Sequence, residues 1–453
     1  MLLLNTNLIF SQDMAWDVPE SRSVGDTIIH GLIASGEALL SNGIVMMFNG
    51  FVMQSSWAFP TTKSIRGNFT IPWGWEDTDG FKVNNFGHPY QGSLYFNAGR
   101  VNGFGFYESV FFSAFGSFTW EAFFESNHAS INDFFTTVPG SLAVGEMLYR
   151  LYIEARSAGI PAPIAFFINP MAGFHSLVTG WKPPSTGRNL FQFQTYLSGG
   201  YAQTYYSLPD NDHEIFSFKG PYTEVGFNTV YGNPFEQDTK IPYRHFELAM
   251  SFGFDLGNYM GIRVISDGYL FSFSPIYTDT NSMSMGLTFN FDFVSMGEFS
   301  IYNGTIDQSS SALNWTLKYQ RIFSQNTVMQ IKYHAGFTFF GVSNYYSPYK
   351  GIDLRNYGYG LNSKLFFNLD NRKLGRLDAA LLGYVLLSYP GTSALSGGTV
   401  YWLFSDITYS RFVSDHISLG ITNSYAMEWG LFDGFPNTWK WHNAVKLFVA
   451  WNL

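Results

Sequence analysis

Six residues in the first third of the chain could do chemistry: His88, Glu108, Glu121, Glu125, Asp133 and Glu146. One imidazole among several carboxylates can hold a divalent cation, or trade a proton as general acid and base. Glu121 and Glu125 are spaced i, i+4, which on a helix puts both on one face. No His-Glu-x-x-His or comparable spacing accompanies them, so neither a metal nor a cofactor is expected. His88, Glu121, Glu125 and Asp133 therefore stand as candidates without an assigned catalytic role. The competing reading is structural: these groups line a plug and pair with Arg100, Arg150 and basic residues further along, such as Arg263, Lys318, Lys332 and Lys364. Gly103-Phe104-Gly105 lacks the third glycine of a dinucleotide site, and no nucleophile elbow or phosphate-binding loop is present.

These residues must be positioned by a chain of unusual composition. Of 453 residues only 13% are charged, while 19% are aromatic, with 47 Phe and 28 Tyr. Soluble proteins average roughly 25% charged residues. A mean hydropathy of −0.01 is too low for a bundle of membrane-spanning helices. The other structure that satisfies its backbone in lipid is a closed barrel, whose strands alternate apolar and polar residues. No cysteine occurs, which removes disulfides and thiolate chemistry. A net charge of −9 argues against nucleic acid as a partner. Met1 to Ser11 reads as the tail of a signal peptide, placed within residues 1–12.

The chain divides near residue 188. Residues 13–187 are helical or irregular, and residues 188–453 run as one alternating segment after another. Leu287, Phe289, Phe291 and Phe293 interleave with Thr288, Asn290 and Asp292. Phe246, Leu248, Met250, Phe252 and Phe254 oppose His245, Glu247, Ser251 and Asp255. Leu313, Trp315 and Leu317 oppose Asn314, Thr316 and Lys318, and Ile331 and Tyr333 oppose Lys332 and His334. A sandwich core could not bury such charges unpaired, whereas a watery lumen accepts them. About twelve strands result, at 190–206, 214–231, 243–256, 259–274, 283–294, 311–323, 327–340, 357–369, 375–389, 398–412, 416–429 and 438–453. The alternation is blurred in 259–274 and 375–389. The fold class is therefore a transmembrane antiparallel β-barrel preceded by a helical, plug-like region. Trp402, Tyr409, Trp429, Trp439 and Trp441 are expected at the lipid headgroup level.

The last strand ends in Val449, Trp451 and Leu453, apolar at every second position. This resembles the C-terminal signal of outer-membrane barrels, with Leu where Phe or Trp is usual, and implies the barrel assembly machinery as a partner.

In the N-terminal region, Gly31 to Val52 reads as a helix broken near Asn42-Gly43, Trp73 to Asn85 as a loop, and Phe104 to Phe124 as a helix. Ser130 reads as the N-cap of a further helix, with Asp133 in its first turn and an interruption at Pro139-Gly140. The longest apolar stretch, Ser109 to Trp120, is too short to cross a bilayer, so helical spans are not expected. The run from Asn85 to Gly92 (NFGHPYQG), followed by Ala98-Gly99-Arg100, Trp120-Glu121, Ser130-Ile131-Asn132-Asp133, Gly145-Glu146 and Ile168-Asn169-Pro170, resembles an uncharacterised bacterial domain of unknown function. The resemblance covers roughly residues 75–180 and implies an outer-membrane setting without an activity.

Two functions of different class follow. The first is a partly plugged outer-membrane barrel in transport or envelope structure, with membrane lipids around it and envelope proteins as possible partners. The second is an outer-membrane enzyme acting on lipid or lipopolysaccharide through His88 and its carboxylates; a scaffold subunit of an envelope complex is a third reading. Arg100, Glu108, Glu146, Arg150, Glu247, Asp255, Arg263, Asp292, Lys318, Lys332, His334 and Lys364 are expected as polar residues of the lumen or plug.

Overall fold

A computed structural model describes residues 22–75, 79–185, 189–208, 213–235, 238–257, 259–297, 306–347, 352–393, 395 and 397–453. The expected signal-peptide remnant lies outside these residues. The chain forms two compact units that divide between Asn189 and Leu190.

The first unit is helical, with α1 (Val24–Phe51), α2 (Thr62–Thr70), a π-helical turn (Val83–Gly87), α3 (His88–Val101), α4 (Phe106–Phe123), α5 (Ile131–Ser157), the short α6 (Ala162–Ala165) and α7 (Pro170–Thr179). Its interior mixes apolar clusters, such as Val101, Tyr152 and Ile153, with buried polar groups. α1 turns Ala34, Glu37, Ala38, Ser41 and Asn42 inward, a stripe with true helical spacing. The helix does not break at Asn42-Gly43: the buried Asn42 amide donates to the Gly116 carbonyl (3.1 Å) and to Thr119 (3.1 Å) on α4. The expectation that no helix could cross a membrane is also corrected, because α1 has the length and apolar character to do so. Its few polar residues hid this by interrupting the apolar run. α5 likewise runs straight through Pro139, and Ser130 caps it without a side-chain hydrogen bond.

The second unit is a closed barrel of twelve antiparallel strands, each paired with its chain neighbours. They are β1 (Leu190–Leu208), β2 (His213–Tyr231), β3 (Phe246–Phe254), β4 (Met260–Tyr277), β5 (Asn281–Met296) and β6 (Ile306–Ser324). β7 (Thr327–Ser347), β8 (Ile352–Asn371), β9 (Gly375–Ser388), β10 (Thr399–Phe412), β11 (Ile417–Leu431) and β12 (Thr438–Asn452) complete the circle. β1 and β12 seal the seam from Gln194 opposite Asn452 to Ser207 opposite Trp439. Closure leaves no strand edge unpaired, the condition for a sheet in lipid. The β4–β5, β6–β7, β8–β9 and β10–β11 turns lie on one rim and are short, as periplasmic turns are.

One connector on that rim departs from the pattern. Residues 238–245 follow β4 irregularly rather than as a regular extension of β3: Thr239 bridges Ser272, and Tyr243 donates from its hydroxyl to the Phe289 carbonyl (3.1 Å). The outer face of β4 has only Gly268 under the Tyr243 ring. Outward residues of β1 and of β8 to β12 are large and exposed, among them Leu197, Leu361, Leu381, Ile407, Leu447 and Val449, whereas Ile262, Val264, Phe291 and Phe293 on the outer face of β4 and β5 are buried. An apolar outer wall, closed around a charged lumen, is the build of a bacterial outer-membrane barrel.

Candidate functional site

The sequence-derived constellation separates into two clusters and one outlier. Glu108 is the outlier: it sits in the first turn of α4, where its carboxylate accepts from the Gly105 backbone N–H (2.8 Å) and caps the helix.

The first cluster surrounds His88, the opening residue of α3. Its Nε2 lies 3.7 Å from Asp79 and 3.7 Å from Asp133, all three shielded from solvent. Glu121 accepts from the Ser130 backbone N–H (2.8 Å), and Glu125 from the Trp120 indole (3.0 Å). Asp133 accepts from the Asn132 amide at 3.2 Å. Glu121 and Glu125 do not share a helix face, because α4 ends at Phe123 and Glu125 lies beyond it. Burial disfavours the imidazolium, but the Asp79, Glu121 and Glu125 carboxylates outweigh it and push the His88 pKa up to about 9. An imidazole held protonated at neutral pH can donate a proton or anchor carboxylates, and it is a poor general base. Among the described residues no group of three or more ligands could hold a metal ion.

The second cluster lies further along α3 and α5. Glu146 receives Arg100 (2.9 Å) and Arg150 (2.9 Å), all three buried. Arg100 also donates to the Phe104 carbonyl (2.8 Å). One carboxylate clamps two guanidinium groups from adjacent helices, a purely architectural use of charge.

In the barrel, inward-facing charges meet across the lumen. Arg263 on β4 reaches Asp406 on β10 at 2.5 Å, between strands on opposite sides of the circle. Glu247 on β3 takes Lys318 (2.5 Å) and Lys332 (2.6 Å), and Lys332 also meets Asp267 on β4 (2.6 Å). Lys364 bonds Asp292, which also accepts from the Tyr384 hydroxyl (2.6 Å). His334 is locked to Thr316 at 2.6 Å. Asp255 is not a lumen residue: it holds the β3–β4 turn through the Gly257 and Tyr259 backbone N–H groups (2.8 and 2.9 Å).

Above these pairs the lumen is filled. Leu382, Tyr384, Trp402, Phe404, Val294 and Met296 pack into one buried cluster. Trp402 is therefore not at the headgroup level but inside, stacked on Phe404 at 5.9 Å, while Tyr409 and Trp429 do face outward. Nearer the long-loop rim a second buried layer unites Tyr345, Leu386, Leu395, Val400 and Phe432. Beneath the first layer a cavity of about 290 Å³ remains, lined by Gln194, Asn228, Arg263, Lys332, Asp378 and Asp406 among others. Apart from Arg263, Ile265 and Asp267 on β4, its lining residues lie mostly in the short-turn half of the strands.

Sequence reasoning missed Asp267, Asp406, Glu224 with its partner Lys446, and the aromatic layer. The signal for the charges was their place on the polar side of each alternating segment. Nothing flagged the aromatics, because an apolar lumen residue reads like a lipid-facing one. At the terminal strand, Val449, Trp451 and Leu453 project outward beside the seam, and the Leu453 N–H donates to the Phe193 carbonyl (2.9 Å).

Residues 72–171 match the model of a family described as a domain of unknown function, DUF3943. No curated protein matches the chain in sequence. Among solved structures the chain is similar to the toluene transporter TodX of Pseudomonas putida, at 9% identity and TM-score 0.23 over 59% of this chain and 90% of that one. It is similar to the NanC porin at 9% identity and TM-score 0.26, covering 57% of this chain and 100% of that one. The outer-membrane protease OmpT of Escherichia coli is 7% identical with a TM-score of 0.24, covering 58% of this chain and 97% of that one.

Proposed function

We propose that this protein is an outer-membrane transport barrel whose lumen is held shut by its own wall residues. The observation that carries this reading is the Arg263–Asp406 pair, which ties opposite walls together beside a polar cavity. A barrel serving only as structure can fill its interior with apolar side chains throughout. This one keeps a charge-lined cavity of about 290 Å³, near the lower end of small-ligand sites, against a stopper built partly of separable ion pairs. Charged pairs open more readily than a packed core, because water can replace each partner. The occupant that fits is a small polar or zwitterionic solute, since cations (Arg263, Lys318, Lys332) and anions (Glu247, Asp267, Asp406) line the cavity together. Swelling of liposomes containing the full chain, in graded small solutes, tests this. Exclusion by the parent with uptake of the smallest polar solutes by an Arg263→Ala/Trp402→Ala/Phe404→Ala variant supports it, and uptake by the parent equal to the variant's, or exclusion by both, refutes it.

The His88 cluster supports a second reading, an enzyme acting on membrane lipid. The buried imidazole among Asp79, Glu121, Glu125 and Asp133 is the observation behind it. An unchanged envelope lipid profile in a His88→Ala strain would remove it.

A further inference from the structure

The helical unit buries charged and polar groups beside its apolar clusters. Its interior holds Glu37, Asn42, Arg100, Glu146, Arg150 and His175, each nearly inaccessible to solvent. Its outside, by contrast, carries large apolar side chains. On α1, Ile28, Leu32, Leu39, Ile44, Met47 and Phe51 are exposed. On α4, Tyr107, Phe111 and Phe118 are exposed along one face. Soluble domains rarely expose a contiguous apolar surface on this scale.

The charges define where that surface ends. Between Asp26 and Lys63 the chain has a single charged residue, Glu37, and it is buried. Glu37 accepts from the Asn102 amide at 2.7 Å and pairs with His175 at 2.6 Å. Arg22, Asp26 and Glu108 mark one end of the apolar band, where Gly31 of α1 approaches Phe104 just before α4. Lys63 and Arg66 of α2 mark the other, where Phe59 packs on Phe51. The roughly two dozen residues of α1 between these ends rise about 35 Å, against a hydrocarbon layer of about 30 Å. A cleavable leader would not be bonded into the unit's core as α1 is through Glu37 and Asn42.

We infer that the helical unit is itself embedded in the bilayer, with α1 crossing the hydrocarbon layer and the Tyr107–Phe111–Phe118 face of α4 seated in acyl chains beside it. The buried charges pair with one another, Arg100 and Arg150 with Glu146 and Glu37 with His175, so lipid contact leaves none of the clamped charges exposed. The unit thus repeats in helices the polarity that the barrel has in strands.

The chain has no cysteine, so single-cysteine labelling is direct. Leu32→Cys, Leu40→Cys, Met47→Cys and Lys63→Cys, each made in the full chain and tagged with an environment-sensitive fluorophore, would be reconstituted in phosphatidylcholine vesicles. Lipids spin-labelled deep in the acyl chain should extinguish most of the emission at Leu40, and lipids labelled near the headgroup should do so at Leu32 and Met47. Aqueous iodide should quench only the Lys63 label. Phe111→Cys gives the same readout from α4 if an α1 variant fails to fold. Iodide quenching along α1, protection of α1 from both quenchers by a protein partner, or uniform shallow quenching would each overturn the inference.

Discussion

Arg263 on β4 and Asp406 on β10 meet at 2.5 Å across the lumen, and Asp406 is held from its other oxygen by the Ser424 hydroxyl at 2.5 Å. The guanidinium also lies 5.2 Å above the Phe404 ring, so pair and aromatic layer form one stopper. Removing one partner leaves the other charged and unpaired beside the cavity, where water reaches it in part, so the cost falls below the roughly 3–5 kcal/mol of a fully buried pair. Asp406→Ala should therefore lower the barrel's unfolding midpoint in denaturant, and the Arg263→Ala/Asp406→Ala double variant should recover part of that loss. Equal midpoints for the single variants and the parent would show that the pair is not closed.

Glu146 accepts from both Arg100 and Arg150, and all three side chains are buried. Glu146→Ala removes the carboxylate that neutralises two guanidinium groups and should destabilise the helical unit by about 3–5 kcal/mol. Hydrogen exchange should accelerate across α3 and α5 while the strand amides stay protected. Unchanged exchange in α3 would contradict the clamp.

His88 makes the helical unit sensitive to alkali. Its folded pKa of about 9 exceeds the ordinary value of 6.5, so the proton stabilises the folded state. That stabilisation is fully present below the unfolded value and disappears as pH rises through about 9. Each tenfold gain in proton affinity is worth about 1.4 kcal/mol, so the whole contribution is about 3 kcal/mol. Exchange protection around residues 79–133 should fall between about pH 7 and pH 10, and His88→Gln should abolish this pH dependence. A flat profile in the parent would remove the coupling.

A methyl group added at Gly268 would fall 2.1 Å from the Tyr243 ring. Gly268→Ala should displace Tyr243 and its neighbours in 238–245 from the outer wall at a cost of about 1–3 kcal/mol. Limited proteolysis within the connector reports this, and continued resistance in the variant would contradict the packing.

The strands were legible because lipid and water on opposite sides of one wall force period-2 alternation with charge on the inner face. Lys318, Lys332, His334 and Asp292 were recognisable on that ground, and the twelve observed strands follow the expected spans closely. The two blurred segments have physical causes. In β9 the inward Leu382, Tyr384 and Leu386 belong to the lumen filling, so both faces are apolar. In β4 the outward row contains Ser266 and Gly268, the latter covered by Tyr243 rather than lipid. β3 begins at Phe246, not at Tyr243, because the connector needs Tyr243 on the wall.

The helical unit was harder to read. α3 is buried on nearly every side, with His88, Ser93, Asn97 and Arg100 all inside, and so shows no amphipathic stripe. Glu121 and Glu125 looked paired by spacing alone, whereas the chain leaves the helix between them. No pattern in the sequence tells which of several carboxylates will find His88 and which, like Glu146, will find arginines.

The central claim, a lumen shut by its own side chains, is tested most directly by single-channel recording in planar bilayers. The parent protein should stay silent or flicker briefly at moderate voltage, while the Arg263→Ala/Trp402→Ala/Phe404→Ala variant should show stable unitary steps. A parent that conducts steadily, or a correctly folded variant that never conducts, would contradict the account.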